Sequence, residues 1–258
     1  MNWITTEIKD RLAYITINRT EKRNALNEEV VLELLQALKD AENNHSVKVI
    51  ILTGAGNTFC AGADLEYLKK LQGNSYEENL KDSMQLMELY KTIYTLSKIV
   101  IAQVNGHAIA GGCGLVTVCD FAFSVADANY GYTETRIGFI PAIVMTFLVR
   151  KIGEARAKEL LLTGNVINAQ HALTDGLINY IVEDETELTK KVYEFAQELC
   201  VNNSAQSIAT TKKMLADIQN MSLSESLTYG AEMNAKARGS EDCKKGIDAF
   251  LNKKILKW

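Results

Sequence analysis

Asn105-Gly-His-Ala-Ile-Ala-Gly-Gly-Cys-Gly-Leu-Val-Thr-Val-Cys-Asp120 decides how this chain folds. It reads as a strand end, a turn of small residues and an apolar helix. A helix begun this way leaves its first backbone N–H groups without intrahelical acceptors, and they face an oxygen anion well. Gly111 suits close approach of backbone to a ligand. Taken alone, Gly111 and Gly112 fit plain helix–strand packing equally well. The spacing is not G-x-G-x-x-G, so a dinucleotide site is a poorer fit.

Working outward, residues 99–104 form an apolar strand that delivers the chain into this turn, and residues 121–125 form another. Tyr130-Gly-Tyr-Thr-Glu-Thr-Arg-Ile-Gly138 then places Glu134 in a largely apolar stretch. A free glutamate has a pKa of about 4.3 and is ionised at neutral pH. An apolar pocket raises that value and makes the group useful as an acid. An anion site beside one carboxyl suggests chemistry next to an activated carbonyl.

Further out, alternation predicts a hairpin of residues 3–8 and 12–18 around a turn at 9–11. Asn27 caps a helix over 28–42. Residues 47–52 form a short strand, followed by the breaker cluster Thr53-Gly-Ala-Gly-Asn57. Phe59-Cys-Ala-Gly-Ala-Asp-Leu65 leads into a polar helical region reaching about residue 97. Beyond Pro141 the pattern is helical except near 178–182, with amphipathic candidates at 222–238 and 240–251. Strands alternating with helices favour an α/β class.

Bulk composition narrows the function. The 258 residues are 47% hydrophobic, enough for a sizeable core. With 28 basic and 32 acidic residues the net charge is −4, which gives no encouragement to nucleic-acid binding. No apolar run approaches the roughly 18–20 residues that span a bilayer. The first ten residues lack the basic start and apolar core of a signal peptide, so the expectation is a soluble cytoplasmic protein without membrane partners. Cys60, Cys113, Cys119, Cys200 and Cys243 contain no Cys-x-x-Cys pair and read as buried small hydrophobes, with Cys113 and Cys119 inside the apolar helix. His45, His107 and His171 offer no ligand spacing, and no metal site is expected. His107 reads as a structural hydrogen-bonder.

Two segments, Phe59-Cys-Ala-Gly-Ala-Asp-Leu65 and Asn105 to Asp120, resemble the enoyl-CoA hydratase/isomerase (crotonase) superfamily. Supporting matches run along nearly the whole chain: Asn24-Ala-Leu-Asn27, Gly138-Phe-Ile-Pro141, Leu161-Leu-Thr-Gly164 and Ala172-Leu-Thr-Asp-Gly-Leu-Ile178. The resemblance implies a crotonase (ClpP/crotonase-like) α/β fold of repeated ββα units. Residues 1–200 would be the core carrying CoA and active site. Residues 201–258 would be a helical region for oligomerisation and active-site cover, in a homotrimer or homohexamer.

The resemblance also implies roles. The backbone N–H groups of Ala63 and Gly111 hold the thioester oxygen as enolate charge develops, Glu134 moves the proton, and the Ala142 N–H meets the reacting water. Losing one such oxyanion donor typically costs about 3 kcal/mol. Arg23, Ala25 and Leu26 match the loop that meets adenine and pyrophosphate. Ala61, Asp64 and Leu65 match the segment beneath adenine and pantetheine. Lys22 or Arg23 suits a phosphate, and Lys253 and Lys254 suit a neighbour's phosphate. Coenzyme A enters as part of the substrate, with no prosthetic group.

Two departures matter. Gly114 stands where two-acid hydratases have their first glutamate. Pro141-Ala-Ile-Val-Met-Thr146 replaces a glycine-rich turn, so Ile143, Val144 and Met145 make the surroundings bulkier and drier. The flanking residues look most like the branch of methylglutaconyl-CoA and carboxygeranoyl-CoA hydratases, whose substrates carry their own carboxylate. The implied activity is addition of water across the 2,3 double bond of a short or branched enoyl-CoA, 3-methylglutaconyl-CoA among them. Leucine or isoprenoid breakdown is implied only by this resemblance. One carboxyl also suffices for a Δ3-Δ2-enoyl-CoA isomerase. A non-catalytic acyl-CoA-binding homologue is the reading from another class.

Overall fold

The computed structural model describes residues 2–258. β1 (Ile4–Lys9) and β2 (Leu12–Ile17) pair antiparallel across Asp10-Arg11. Both turn residues take positive φ, 52° and 68°, the backbone twist a two-residue hairpin needs. Asn27 accepts from the Val30 N–H at 2.9 Å and starts α1 (Glu28–Asn43). Val30, Val31, Leu34, Leu35, Leu38 and Ala41 form its buried stripe. Each of the larger ones stabilises the fold by about 1.5–3 kcal/mol on full burial.

Three β-β-α units follow. The first holds β3 (Val49–Gly54), β4 (Thr58–Cys60), α2 (Leu65–Leu71) and α3 (Tyr76–Thr95). The second holds β5 (Ile99–Val104), β6 (His107–Ile109) and α4 (Gly111–Val118). The third holds β7 (Phe121–Val125), β8 (Asn129–Gly131), a 3-10 turn Glu134–Ile137 and α5 (Ala142–Ile152). In every unit the first strand joins one sheet and the second joins another. The larger sheet has order β1-β2-β3-β5-β7-β10, all parallel beyond the hairpin, and the smaller has β4-β6-β8-β9. β5 is buried at all its positions, as a parallel strand covered on both faces must be.

The chain continues through α6 (Glu154–Thr163), β9 (Val166–Asn168), α7 (Ala169–Thr174) and β10 (Tyr180–Val182). It ends in α8 (Glu185–Asn202), α9 (Ala205–Asp217), α10 (Leu223–Arg238) and α11 (Glu241–Leu251). α4 packs among β4, β5, β6, α3 and α5, so its first turn lies where the two sheets hand the chain over. At its other end the Lys151 ammonium bonds the carbonyls of Val116, Thr117 and Cys119 at 3.2, 3.1 and 3.1 Å. A cation there complements the helix dipole. Buried Lys212 pairs with half-buried Asp120 at 2.6 Å and ties α9 to the segment between α4 and β7.

Several details correct the sequence reading. The polar helical region to residue 97 is two helices, separated near Gly73, with Ser75 and Glu78 forming a capping box on α3. The third strand starts at Val49, two residues later than the apolar run. β4, β6, β8 and β9 escape prediction because strands of three residues are too short to show a period. Cys119 lies just past the end of α4 rather than within it.

Candidate active site

Two loops meet in front of α4. Leu26 donates to Gly62 O at 2.7 Å and accepts from the Asp64 N–H at 2.8 Å, a parallel bridge to Ala63. That pairing turns the N–H of Ala63 away from Leu26. Gly62 has φ 89°, and a Cβ there would lie 2.8 Å from Ile109 O and 2.9 Å from the Ala110 Cβ. Only glycine lets the 61–64 loop sit this tightly on the 109–111 turn. The Gly111 N lies 3.4 Å from that same point. Ala63 is exposed and Gly111 half-buried. Among the described residues neither amide donates to a protein acceptor. Two free donors therefore stand on touching loops, Gly111 at the N-terminus of α4 and Ala63 on the loop packed against it, and donors so placed suit an oxyanion.

The turn presenting Gly111 is strained. Ala110 adopts φ 48°, ψ −122°, a conformation that costs about 1–3 kcal/mol for a non-glycine residue. The Ala110 N–H bonds Gly131 O at 2.7 Å, holding this turn to the end of β8.

Three residues after Gly131 comes Glu134, opening its 3-10 turn. One carboxylate oxygen, Oε2, is buried without a hydrogen-bond partner. Burial pushes the carboxyl above the ordinary glutamate range, and its own backbone N–H offsets this only in part. Its charge is felt at Tyr90 and Cys113, on α3 and α4 respectively. A proton acceptor that is desolvated and unpaired at this point can serve as a general acid or base.

The place of the absent carboxylate is filled. A Cβ on Gly114 would lie 2.4 Å from Val144 Cγ1 and 3.0 Å from the Tyr90 hydroxyl. Val144 and Tyr90 are both buried. Ala142 begins α5 after Pro141, exposed and with no side-chain cap, so its N–H is among the free first-turn donors. Ile143 is half-buried and Met145 exposed.

The residues expected at the CoA nucleotide are largely committed to the fold. The N–H of Arg23 goes to Thr20 O, that of Ala25 to Lys22 O, that of Leu26 to Gly62 O and that of Ala61 to Arg23 O. The Ala25 carbonyl accepts from Arg19 at 3.1 Å. The Asp64 carboxylate is paired with Arg19 at 2.7 Å and caps α2 through the Glu66 and Tyr67 N–H groups. Burial pushes that carboxyl up, but the Arg19 hydrogen bond, the two amides and the guanidinium charge together hold it below its usual range. The side chains left free are those of exposed Arg23 and exposed Leu65. Lys22 pairs with Glu66 at 2.9 Å. Lys253 and Lys254 follow α11, and Lys254 lies 4.0 Å from Asp248. His107 accepts from the Asn129 N–H at 3.2 Å, the structural role expected of it.

Arg19, Tyr90, Lys151 and Lys212 emerge only from the structure. Leu86, Leu89, Tyr90 and Ile93 recur at helical spacing, which marks Tyr90 as inward-facing but not what it faces. A cavity of about 650 Å³ lies at the far end of α4, lined by Thr117, Asp120, Lys151 and Lys212 among others, and none of the predicted site residues borders it.

The family model described as enoyl-CoA hydratase/isomerase matches residues 7–258. A Thermus thermophilus protein described provisionally as an enoyl-CoA hydratase is 40% identical over 95% of this chain and 96% of its own. The crotonyl-CoA hydratase of Syntrophomonas wolfei is 32% identical over 97% of this chain and 95% of its own. The crystal structure of an enoyl-CoA hydratase from Bacillus anthracis superposes with a TM-score of 0.90 at 30% identity, covering 99% of this chain and 98% of that one.

Proposed function

The chain belongs to the enoyl-CoA hydratase/isomerase family, and from that premise we propose that it adds water across the 2,3 double bond of an enoyl-CoA thioester. The observation that carries this reading is the pair of unengaged amides at Ala63 and Gly111, beside a carboxyl with one unpartnered buried oxygen. The thioester oxygen accepts from both amides. Water attacks C3, and Glu134 takes a proton from that water as the C3–O bond forms. The C2–C3 π electrons move toward the thioester, giving an enolate whose charge lies against the two N–H groups. Glu134 then returns a proton to C2. One carboxyl thus handles both transfers, which places the added H and OH on the same face. The Ala142 N–H is assigned to the water.

Nothing at Gly114 supplies a second carboxylate, and Tyr90 and Val144 fill its place. The finer reading is that the acyl group brings its own, as in 3-methylglutaconyl-CoA, and that this group helps hold the water. Arg23 is assigned to a CoA phosphate, and Ala25, Leu26, Ala61, Asp64 and Leu65 to the adenine and pantetheine through backbone carbonyls and apolar contact. Residues 1–200 are assigned as catalytic core and 201–258 as the region that assembles a trimer or hexamer and covers the site. Exposed Leu223, Leu227, Ile247, Phe250 and Leu251 on α10 and α11 support that assignment. Among the described residues no helix is long and apolar enough to cross a membrane.

A second reading, Δ3-Δ2-enoyl-CoA isomerisation, is favoured by the apolar Val144 packed where the second acid would stand. One base removing a proton from C2 and returning it at C4 is sufficient there. Incubation with crotonyl-CoA, 3-methylglutaconyl-CoA and a 3-enoyl-CoA, with product mass and conjugated-enoyl absorbance followed together, separates the readings. A product heavier by one water supports hydration. Rapid conjugation of the 3-enoyl-CoA without a water adduct supports isomerisation. Equal hydration rates for 3-methylglutaconyl-CoA and an uncharged enoyl-CoA of similar size would remove the role of the substrate's carboxylate.

A further inference from the structure

The first turn of α4 carries glycine at 111, 112 and 114, the residue least suited to a helix interior after proline. It has no side-chain N-cap. Its left-hand neighbour Ala110 is held at positive φ. By sequence alone this turn is poorly fixed, yet its amide must stay aimed within a fraction of an ångström for the chemistry proposed above. Something outside the helix has to hold it.

Among the described residues one side chain from outside α4 bonds the backbone of this turn; within the helix, the Thr117 hydroxyl donates to the Cys113 carbonyl at 2.9 Å. The Tyr90 hydroxyl, arriving from α3, donates to the Gly111 carbonyl at 2.8 Å. The same oxygen lies 3.0 Å from where a Cβ would stand on Gly111 and 3.0 Å from where one would stand on Gly114. Tyr90 is wholly buried. Because a side chain at 114 would meet that hydroxyl and Val144, the glycine at 114 and the tyrosine at 90 fit together as one arrangement. Burial, then Cys60 and Glu134 nearby, push the phenol well above its usual range, so it remains a proton donor throughout the working pH range.

We propose that Tyr90 is a positioning residue of the reaction, whose hydroxyl holds Gly111 by its carbonyl and so restrains the adjoining 110–111 peptide, keeping the Gly111 N–H directed at the thioester oxygen. This rests on the reading of Ala63 and Gly111 as the thioester-oxygen site. The hydroxyl acts through Gly111, and with no exposed surface it does not itself touch the acyl group.

The test compares wild type with Tyr90→Phe, which keeps the ring and removes the donor. The probe is 4-(dimethylamino)cinnamoyl-CoA, an enoyl thioester whose absorbance moves to the red when its carbonyl is polarised. The wild type is expected to red-shift the bound probe. The variant is expected to bind it with an affinity within about threefold, to show a smaller red shift, and to lose about tenfold in kcat with KM little changed. A role confined to packing would lower Tm and leave both the red shift and kcat per folded site at wild-type values, and that result overturns the proposal. Should Tyr90→Phe fail to fold, 3-fluorotyrosine introduced at 90 replaces it. That residue makes the hydroxyl a stronger donor, and an unmoved red shift overturns the proposal equally. No red shift in the wild type would overturn the thioester-oxygen site itself, and this assignment with it. A wild-type shift that the variant retains removes Tyr90 alone.

Discussion

At the residue scale the account turns on Glu134. Removing its proton chemistry while keeping its shape, as in Glu134→Gln, is expected to lower kcat/KM by about 10²–10⁴ with little change in CoA affinity, measured by initial rates and by binding of an unreactive acyl-CoA. The pH profile gives a second check. Burial raises the carboxyl of Glu134, and it must be ionised to take a proton from water. Activity should therefore fall as pH drops through a value above 4.3, the ordinary one, and the variant should lack that limb. Gly114→Ala tests the filled place opposite. Its Cβ would press on Val144 at 2.4 Å, and the overpacking should cost about 1–3 kcal/mol in denaturant unfolding. Glu134, Ala63 and Gly111 could be named from the sequence because a motif points to them, and the structure leaves both amides without a protein acceptor and one Glu134 oxygen without a partner. Tyr90 could not be so named, since the atoms that give it meaning lie on α4, far along the chain.

At the element scale, α4 is held from both ends. Its N-terminal N–H groups face the site and its last carbonyls face Lys151. Burial lowers that lysine's pKa, with Cys119, Asp120 and Cys113 opposing the effect. Lys151→Met keeps much of the stem and leaves three carbonyls without their donor. We expect a loss of about 1–3 kcal/mol in stability, read by chemical denaturation. Strands such as β5 and β7 were legible because continuous apolar runs of that length have few alternatives. β4, β6, β8 and β9 were not, because three residues of strand are specified by the neighbours they pair with. β6 and β8, the central strands of the smaller sheet, belong to that class. The sequence therefore marks α4 more readily than the short strands β4 and β6 packed against it.

At the scale of the whole molecule, the Arg19–Asp64 pair clamps the 19–26 loop to the loop bearing Ala63. Arg19→Met would leave the buried Asp64 carboxylate with only its two amide donors and no cation, and should cost up to about 3 kcal/mol. The linkage has a definite sign. The Asp64 carboxyl is held below its usual range in the fold, so its contribution is fully present above about pH 3.9, the unfolded value. It is lost as pH falls further through the folded value. The wild type should lose stability across that window in acid titrations followed by circular dichroism, and Arg19→Met should show a shallower loss there. The α/β class and the alternation of strands with helices could be read from periodicity. The handing of successive strands to two different sheets could not, because no local pattern records which sheet a strand joins.

The most direct measurement is the structure of the protein with an acyl-CoA bound that cannot react, with the position of its carbonyl refined freely. The account predicts the thioester oxygen within hydrogen-bond distance of both the Ala63 and Gly111 amides, and the acyl carbons facing the Glu134 carboxyl. A carbonyl directed away from that pair, or an acyl group out of reach of Glu134, would contradict it.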